Sequence, residues 1–322
     1  MNVLITGASG FLGRRLSSYL DQKGLHLRCQ VRDARAKSFL PGKAELCVIK
    51  DIGSDTDWTE AMTGIDAVIH LAARVHVTNE TSADPLKEYM RVNVDGSRRL
   101  IEAAIRHKTA KFIFLSTIKV NGEDSGDGFF SETDPALPRD AYARSKWEAE
   151  KILTELSRDT NLKTFILRIP LVYGPGVRGN FLSLLKAVDR GYPVPSCFCT
   201  NRRSLLYSEN LVSAVWSCLQ NETLFHETFL VSDGEDLSTL DIMRMAAEAA
   251  GKPFKTFPLS GRLLRLLLAL SGKKKESAKL LGSLCVNSRR IRSRLGWIPP
   301  YSVRQGISRT VAWFKQGDAA CS

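Results

Sequence analysis

A chain of 322 residues, 43% apolar and 25% charged, can bury a full core as one large domain or two unequal ones, with the composition of a soluble globular protein. No apolar run approaches the ~20 residues of a membrane span; the longest, Leu263 to Leu270, is interrupted by Arg265. The net charge of +12 points to an acidic partner and is gathered late in the chain.

Between Ser260 and Arg304 stand eleven bases (Arg262, Arg265, Lys273, Lys274, Lys275, Lys279, Arg289, Arg290, Arg292, Arg294 and Arg304) against one acid, Glu276. Such a patch suits a nucleotide diphosphate, an anionic membrane surface or nucleic acid. Seven scattered cysteines without a C-x-x-C pair read as reduced thiols of a cytosolic protein. Cys197 and Cys199 have no second Cys or His cluster beside them, so no metal site is expected. The first strand opens at once, without a basic leader, so no secretory signal is expected.

In chain order, Val3–Ile5 is a predicted strand ending in Thr6-Gly7, with glycines following at Gly10 and Gly13. Leu12, Leu16 and Leu20 then mark one helix face. Strand, glycine turn and helix is the order that holds a dinucleotide pyrophosphate, because glycine lets the backbone approach and the helix end offers N–H groups. Further strands are predicted at Leu27–Val31, Glu45–Val48, Ala67–Leu71, Phe112–Leu115 and Thr164–Ile169, with helices from about Pro85 to His107 and Ala141 to Ser157. This alternation predicts an α/β fold, a Rossmann-like doubly wound parallel sheet. Residues 1–175 form the predicted dinucleotide domain, with later segments returning to it, and 176–322 a smaller, mostly helical substrate lobe. In that lobe, strands are predicted near Leu205–Tyr207 and Thr228–Val231, and helices near Glu209–Leu219, Thr239–Ala250, Arg262–Leu270 and Tyr301–Phe314. Gly122 to Pro138 is long and polar enough to be a substrate lid.

Tyr142 and Lys146 open a helix at a spacing that puts phenol and ammonium on one face. A nearby lysine lowers a phenol's pKa and suits the pair to proton exchange with a carbinol or carbonyl oxygen. Leu115-Ser116-Thr117 sets a second hydroxyl, that of Thr117, at the carboxyl edge of the sheet. Asn93, in the long preceding helix, can hold a water or the lysine, or simply back-bond.

TGASGFLG, DAVIHLAA, NVDG, LST with the VNG that follows it, YARSK and RIPLVYGPG stand in the order seen in extended short-chain dehydrogenases/reductases. The chain resembles their NAD(P)-dependent sugar-nucleotide epimerases, dehydratases and ketoreductases over nearly its whole length. The resemblance implies Tyr142 as general acid/base, Lys146 on the nicotinamide ribose, and Thr117 in place of the usual serine. It implies Gly7, Gly10, Phe11, Leu12 and Gly13 around the pyrophosphate, Asp51-Ile52 at the adenine, and Leu71-Ala72-Ala73 along the cofactor. Ile169, Pro170 and Val172 would pack beside the nicotinamide, while Asn180 and Arg203 match positions that contact the diphosphate of a nucleotide sugar.

Arg32 follows the second strand directly and Asp33 comes next. An arginine there pairs with a 2′-phosphate, so NADP is expected ahead of NAD. The family's dehydratases carry Asp-Glu after the catalytic Thr; here Ile118-Lys119 stands there, which argues against dehydration. Asn121 and Leu171 depart from the epimerase pattern and are expected at the sugar end of the pocket. The set looks most like 4-reductases of UDP-4-keto-6-deoxy-N-acetylhexosamines in surface polysaccharide synthesis, with UDP-glucose or UDP-N-acetylglucosamine 4-epimerase as the alternative. A steroid or phenolic carbonyl reductase shares the motifs but would want an apolar lobe. No reading helix or stacking aromatics are evident, so nucleic acid is not an expected partner. Ser260–Gly282 reads as a lobe helix packed on the core; the alternative is peripheral attachment to an anionic membrane at its inner face. By analogy with the family, a homodimer would pair long helices that include Leu100 and Trp147.

Overall fold

The computed structural model describes residues 1–75, 84–270 and 281–319. Lys273, Lys274, Lys275, Glu276, Lys279 and Cys321 therefore lie outside the described residues. Seven strands form the central sheet: β1 (Asn2–Thr6), β2 (His26–Val31), β3 (Glu45–Val48), β4 (Ala67–His70), β5 (Lys111–Thr117), β6 (Lys163–Ile169) and β10 (Glu227–Leu230). Their order is β10-β6-β5-β4-β1-β2-β3, and every pairing is parallel. The order reverses between β1 and β4, so the loops after those strands part there and open a crevice beyond their carboxyl ends.

Alternate residues of each strand feed two separate cores. On one face Ile5, Ile69 and Phe165 pack with Leu16 and Leu20 of α1 (Phe11–Gln22) and Val215 of α7 (Ser208–Gln220). On the other, Leu4, Val68, Phe112 and Phe114 pack with Leu100 of α4 (Gly96–Arg106) and Leu153 of α5 (Ala141–Ser157). Leu100 is wholly buried in that second core, and Trp147 stands half-buried over the Arg168 guanidinium.

Chain segments late in the sequence return to the sheet. β10 pairs with β6, and Ile291 and Trp297 join the α1 face. The lobe has its own core, in which Tyr173, Phe181, Leu205, Met243, Ile307 and Val311 pack together. It holds a small sheet of β7 (Leu171–Tyr173), β9 (Arg203–Tyr207) and β11 (Asp236–Leu237), and a pair formed by β8 (Val194–Pro195) and β12 (Thr256–Phe257). Around these stand α6 (Gly179–Asp189), α8 (Thr239–Ala250), α9 (Gly261–Leu270) and the C-terminal helix Val303–Ala319. Buried Asp233 ties the two bodies: it accepts from the Tyr173 hydroxyl at 2.9 Å and from Asn210 Nδ2 at 2.7 Å.

The expected helix from 85 to 107 is present but not uniform. Between α3 (Pro85–Met90) and α4 it widens into a π turn, Arg91–Asp95, that contains Asn93. Among the described residues no helix is long and apolar enough to cross a membrane.

Candidate active site

β1 ends beneath a turn that tolerates only glycine at its two tightest points. Gly7 has φ +66°, and a Cβ there would lie 2.9 Å from the Ala72 nitrogen. A Cβ on Gly13 would lie 2.4 Å from the Gly7 carbonyl oxygen, so α1 could not seat against the turn. Gly10 caps α1 without a side chain, and the first turn carries no acid. An uncapped helix start facing a glycine cradle is a place for a diphosphate.

Gln30, near the end of β2, holds this turn in place. Its Oε1 accepts from Gly7 N at 2.9 Å, and its Nε2 donates to the Ile49 carbonyl at 2.9 Å. Beyond it Arg32 is exposed, while Asp33 is engaged locally. Asp33 accepts from Arg35 N at 2.9 Å and from the Arg35 guanidinium, which holds its carboxyl down at about 2. Asp51 is likewise engaged, accepting from Arg91 Nη1 at 2.7 Å and Nη2 at 3.2 Å. Ile52 is buried behind it, and Leu71, Ala72 and Ala73 are half-buried along the strand end.

A one-way chain of hydrogen bonds runs beneath the cradle. Ala72 N donates to Thr6 Oγ1 at 3.1 Å, and Thr6 Oγ1 lies 2.6 Å from His70 Nδ1. His70 Nε2 lies 2.9 Å from Ser97 Oγ, whose proton goes to the Asn93 carbonyl at 2.6 Å. Because Ser97 already donates, His70 must donate from Nε2 and accept at Nδ1 from Thr6. Burial, reinforced by Lys146, pulls this imidazole down to about 3, so it is neutral.

α5 begins at Asp140, whose Oδ1 accepts from Ala143 N at 2.7 Å and whose Oδ2 accepts from Lys119 Nζ at 2.7 Å. That bridge draws the turn following Thr117 against the turn that carries Tyr142. Thr117 is buried at the end of β5, accepting from Lys119 N at 3.3 Å. Tyr142 is half-buried, with its ring 6.2 Å from that of Tyr89. Lys146 is 2% exposed, its Nζ lying 3.7 Å over the Phe114 ring.

Burial pulls the Lys146 ammonium down to about 7, against the attraction of Glu150 one turn further on. Burial, then Asp140 and Tyr89, pushes the Tyr142 phenol above its usual range. The expected lowering by lysine is therefore not the condition of the site as it stands. Desolvation is the largest cause for both groups.

The hydrogen bonds of the Asn93 side chain run to Arg74 and Ser145 rather than to the lysine. Its Oδ1 accepts from Arg74 N at 2.7 Å, and its Nδ2 donates to the Arg74 carbonyl at 3.0 Å and to Ser145 Oγ at 2.9 Å. It thus fastens the segment after β4 to the turn between Tyr142 and Lys146. Asn121 is also corrected. It is buried, accepting from Arg168 Nη1 at 3.0 Å and donating to the Ser131 carbonyl at 2.9 Å, in an internal cluster rather than the sugar end.

Ile169 and Pro170 are buried at the end of β6, Val172 is half-buried and Leu171 exposed. Phe11 reaches the lobe core, and Gly176 lies against its ring. Asn180 is exposed in the first turn of α6. Arg203 is partly buried and donates from Nη2 to the Gly282 carbonyl at 3.0 Å. The expected lid is pinned: Ser125 N donates to the Ser283 carbonyl at 2.8 Å and Phe130 N to the Cys285 carbonyl at 2.9 Å. Thr6, Gln30, His70, Ser116 and Arg168 share one signal that sequence reading passed over. Each is a polar residue at or next to the carboxyl end of a strand of the central sheet.

Fold and site together define an α/β protein with a parallel sheet, a glycine turn after β1, and a tyrosine and a lysine one turn apart at the start of α5. The chain belongs to the NAD dependent epimerase/dehydratase family, whose sequence model matches residues 3–231, and is an enzyme of the extended short-chain dehydrogenase/reductase class. It is 36% identical over 319 residues, covering 98% of this chain and 96% of the relative, to a UDP-glucose 4-epimerase of Vibrio cholerae. It is 27% identical to an N-acetyl-alpha-D-glucosaminyl-diphospho-ditrans,octacis-undecaprenol 4-epimerase of Escherichia coli O157:H7, over 97% of this chain and 95% of the relative. The structure of MoeE5 in complex with UDP-glucuronic acid and NAD superposes with a TM-score of 0.78 at 26% identity, covering 98% of this chain and all of the other.

Proposed function

We propose that the enzyme exchanges hydride at C4 of a UDP-sugar, with Tyr142 as general acid/base, Lys146 tuning it and Thr117 binding the same sugar oxygen. The observation that carries this reading is Tyr142 in the first turn of α5, with Lys146 below it and Thr117 tied alongside through Lys119 and Asp140. The glycine cradle fits a dinucleotide: a Cβ on Gly7 or Gly13 would clash with neighbouring backbone and force the turn apart, and the α1 end is uncapped. When bound, that group supplies hydride exchange with C4; the chain's own residues handle the proton. A phenol held above its usual pKa is in the form that donates a proton to a carbonyl oxygen. In the opposite direction the phenolate needs a cation, and Lys146, poised near 7, is placed to provide it.

Gly7, Gly10, Phe11, Leu12 and Gly13 would face the pyrophosphate, Asp51 and Ile52 the adenine, and Leu71, Ala72, Ala73, Ile169, Pro170 and Val172 the nicotinamide half. Asn180 and Arg203 would meet the sugar diphosphate. Dehydration is disfavoured, because Ile118 is buried and Lys119 is held by Asp140, leaving no acid–base pair after Thr117. Exposed Arg32, beside an Asp33 already taken by Arg35, supports NADP; the structural relative MoeE5 holds NAD. Dissociation constants for the two dinucleotides test this, with the tighter value expected for NADP.

C4 epimerisation is the reaction favoured by the similarity to the Vibrio cholerae epimerase across nearly the whole of both chains. Exposed Leu171, at the edge of the lobe sheet, keeps a second reading: reduction of a UDP-4-keto-6-deoxy-N-acetylhexosamine. Purified enzyme given UDP-glucose or UDP-N-acetylglucosamine without added reduced cofactor separates the two. Interconversion of the C4 epimers is expected of the epimerase. No interconversion, with turnover of the 4-keto sugar only when reduced cofactor is added, would replace it by the reductase.

A further inference from the structure

Helix α9, Gly261–Leu270, contains six leucines, and three of them, Leu263, Leu266 and Leu270, fall within ~60° of arc at helical spacing. A lobe helix packed on the core would turn such a stripe inward. Here it faces outward: the three are 45%, 55% and 78% exposed. The helix is nevertheless seated at its start, where Gly261 lies against Cys197 and Leu281. Phe257, in the short strand just ahead of it, is also exposed.

The charge around this stripe has one sign. From Ala249 to Leu270 the sequence holds Lys252, Lys255, Arg262 and Arg265 and no acid, and it runs on through Lys273-Lys274-Lys275 before reaching Glu276. Lys252 is paired with Asp189, while Lys255 and Arg262 are exposed. A second copy of the chain, meeting this face by two-fold symmetry, would set bases against bases around the leucines. An anionic bilayer satisfies both halves of the pattern, with apolar side chains at the acyl boundary and bases at lipid phosphates.

We propose that α9 is a membrane-surface helix. It lies in the plane of an anionic bilayer, with Leu263, Leu266 and Leu270 inserted and Arg262 and Lys255 on the headgroups. Leu281 touches the start of the helix and the neighbouring Gly282 carbonyl accepts from Arg203, so docking holds that wall of the substrate lobe near the lipid surface. The proposal is independent of which C4 reaction the site performs.

Co-flotation of the full-length protein with vesicles tests it. The wild type is expected to float with vesicles of mixed phosphatidylglycerol and phosphatidylcholine at low salt. It should not float with phosphatidylcholine alone, and added salt should release it. The double variant Leu263→Asp/Leu266→Asp is expected to lose at least tenfold in partitioning while keeping wild-type turnover in solution, which shows that it is folded. Absence of flotation with the anionic vesicles at low salt overturns the proposal. So does equal binding by the double variant, or a sedimenting dimer that the same variant dissociates, which would assign the stripe to a second copy.

Discussion

Replacing Glu150 by alanine removes one side of an ion pair enclosed by α5, β5 and β6. The carboxylate accepts from Arg168 Nε at 3.1 Å, from Arg168 Nη2 at 2.7 Å and from Ser116 Oγ. The side chains are only 2% and 6% exposed, so neither charge can recover its water once the other is gone. Removing one partner of a buried pair costs ~3–5 kcal/mol, a large share of the ~5–15 kcal/mol that holds a typical fold together. Glu150→Gln keeps an acceptor for Ser116 and should cost less. Changing both residues, as Glu150→Met with Arg168→Met, removes the stranded charge and should recover part of the loss. Urea unfolding followed by circular dichroism and by tryptophan fluorescence measures the wild type and these variants together with the single Glu150→Met and Arg168→Met proteins, with coupling read from the methionine double-mutant cycle. An alanine variant within ~1 kcal/mol of wild type, or single losses that simply add in the double variant, would refute the reasoning.

The same carboxylate supports Lys146, so folded Glu150→Gln should let the ammonium titrate below about 7. The alkaline limb of its kcat–pH profile is expected to move to lower pH, and superimposable profiles would contradict this. Tyr142→Phe is expected to lower kcat by ~10²–10⁴-fold with dinucleotide affinity retained; full turnover would remove Tyr142 from the mechanism. Gly13→Ala, whose Cβ would lie 2.4 Å from the Gly7 carbonyl oxygen, should weaken dinucleotide binding at least ~tenfold (about 1.4 kcal/mol) by displacing α1. Unchanged affinity by calorimetry would count against the cradle. His70 is held near 3, below its ordinary 6.5, so in that window the unfolded chain takes up a proton that the fold refuses. Its contribution is intact above 6.5 and falls as pH drops towards 3, by at most ~1.4 kcal/mol per unit. The His70 ring resonance should show no titration down to about pH 4, and a midpoint near 6.5 would contradict the buried neutral imidazole.

Local signals were legible because local physics sets them. Ala141–Ser157 and Thr239–Ala250 match their expected ranges, since Asp140 and Ser238 cap their starts and Gly251, in the left-handed conformation, ends the second. The apolar runs of β1, β2, β4, β5 and β6 reported the buried sheet for the same reason. What escaped depends on partners far apart in sequence. Asn121 looks like a pocket residue until β6 brings Arg168 to it across 47 positions. The leucines of α9 look like core, yet Leu263, Leu266 and Leu270 stand exposed among the described residues. The polar strand ends, Thr6, Gln30 and His70, were visible as letters, but their hydrogen-bond chain exists only once β1, β2 and β4 are adjacent.

The account turns on hydride leaving C4 of the sugar while Tyr142 takes the proton. A UDP-hexose carrying deuterium at C4, incubated with the dinucleotide-loaded enzyme, tests this most directly by mass spectrometry of the nicotinamide ring. Deuterium on the nicotinamide with wild type, and none with Tyr142→Phe, is the expected result. An epimerase returns the same hydride to C4, so turnover with the C4 deuterium lost to solvent, or with none found on the nicotinamide during turnover, would contradict it.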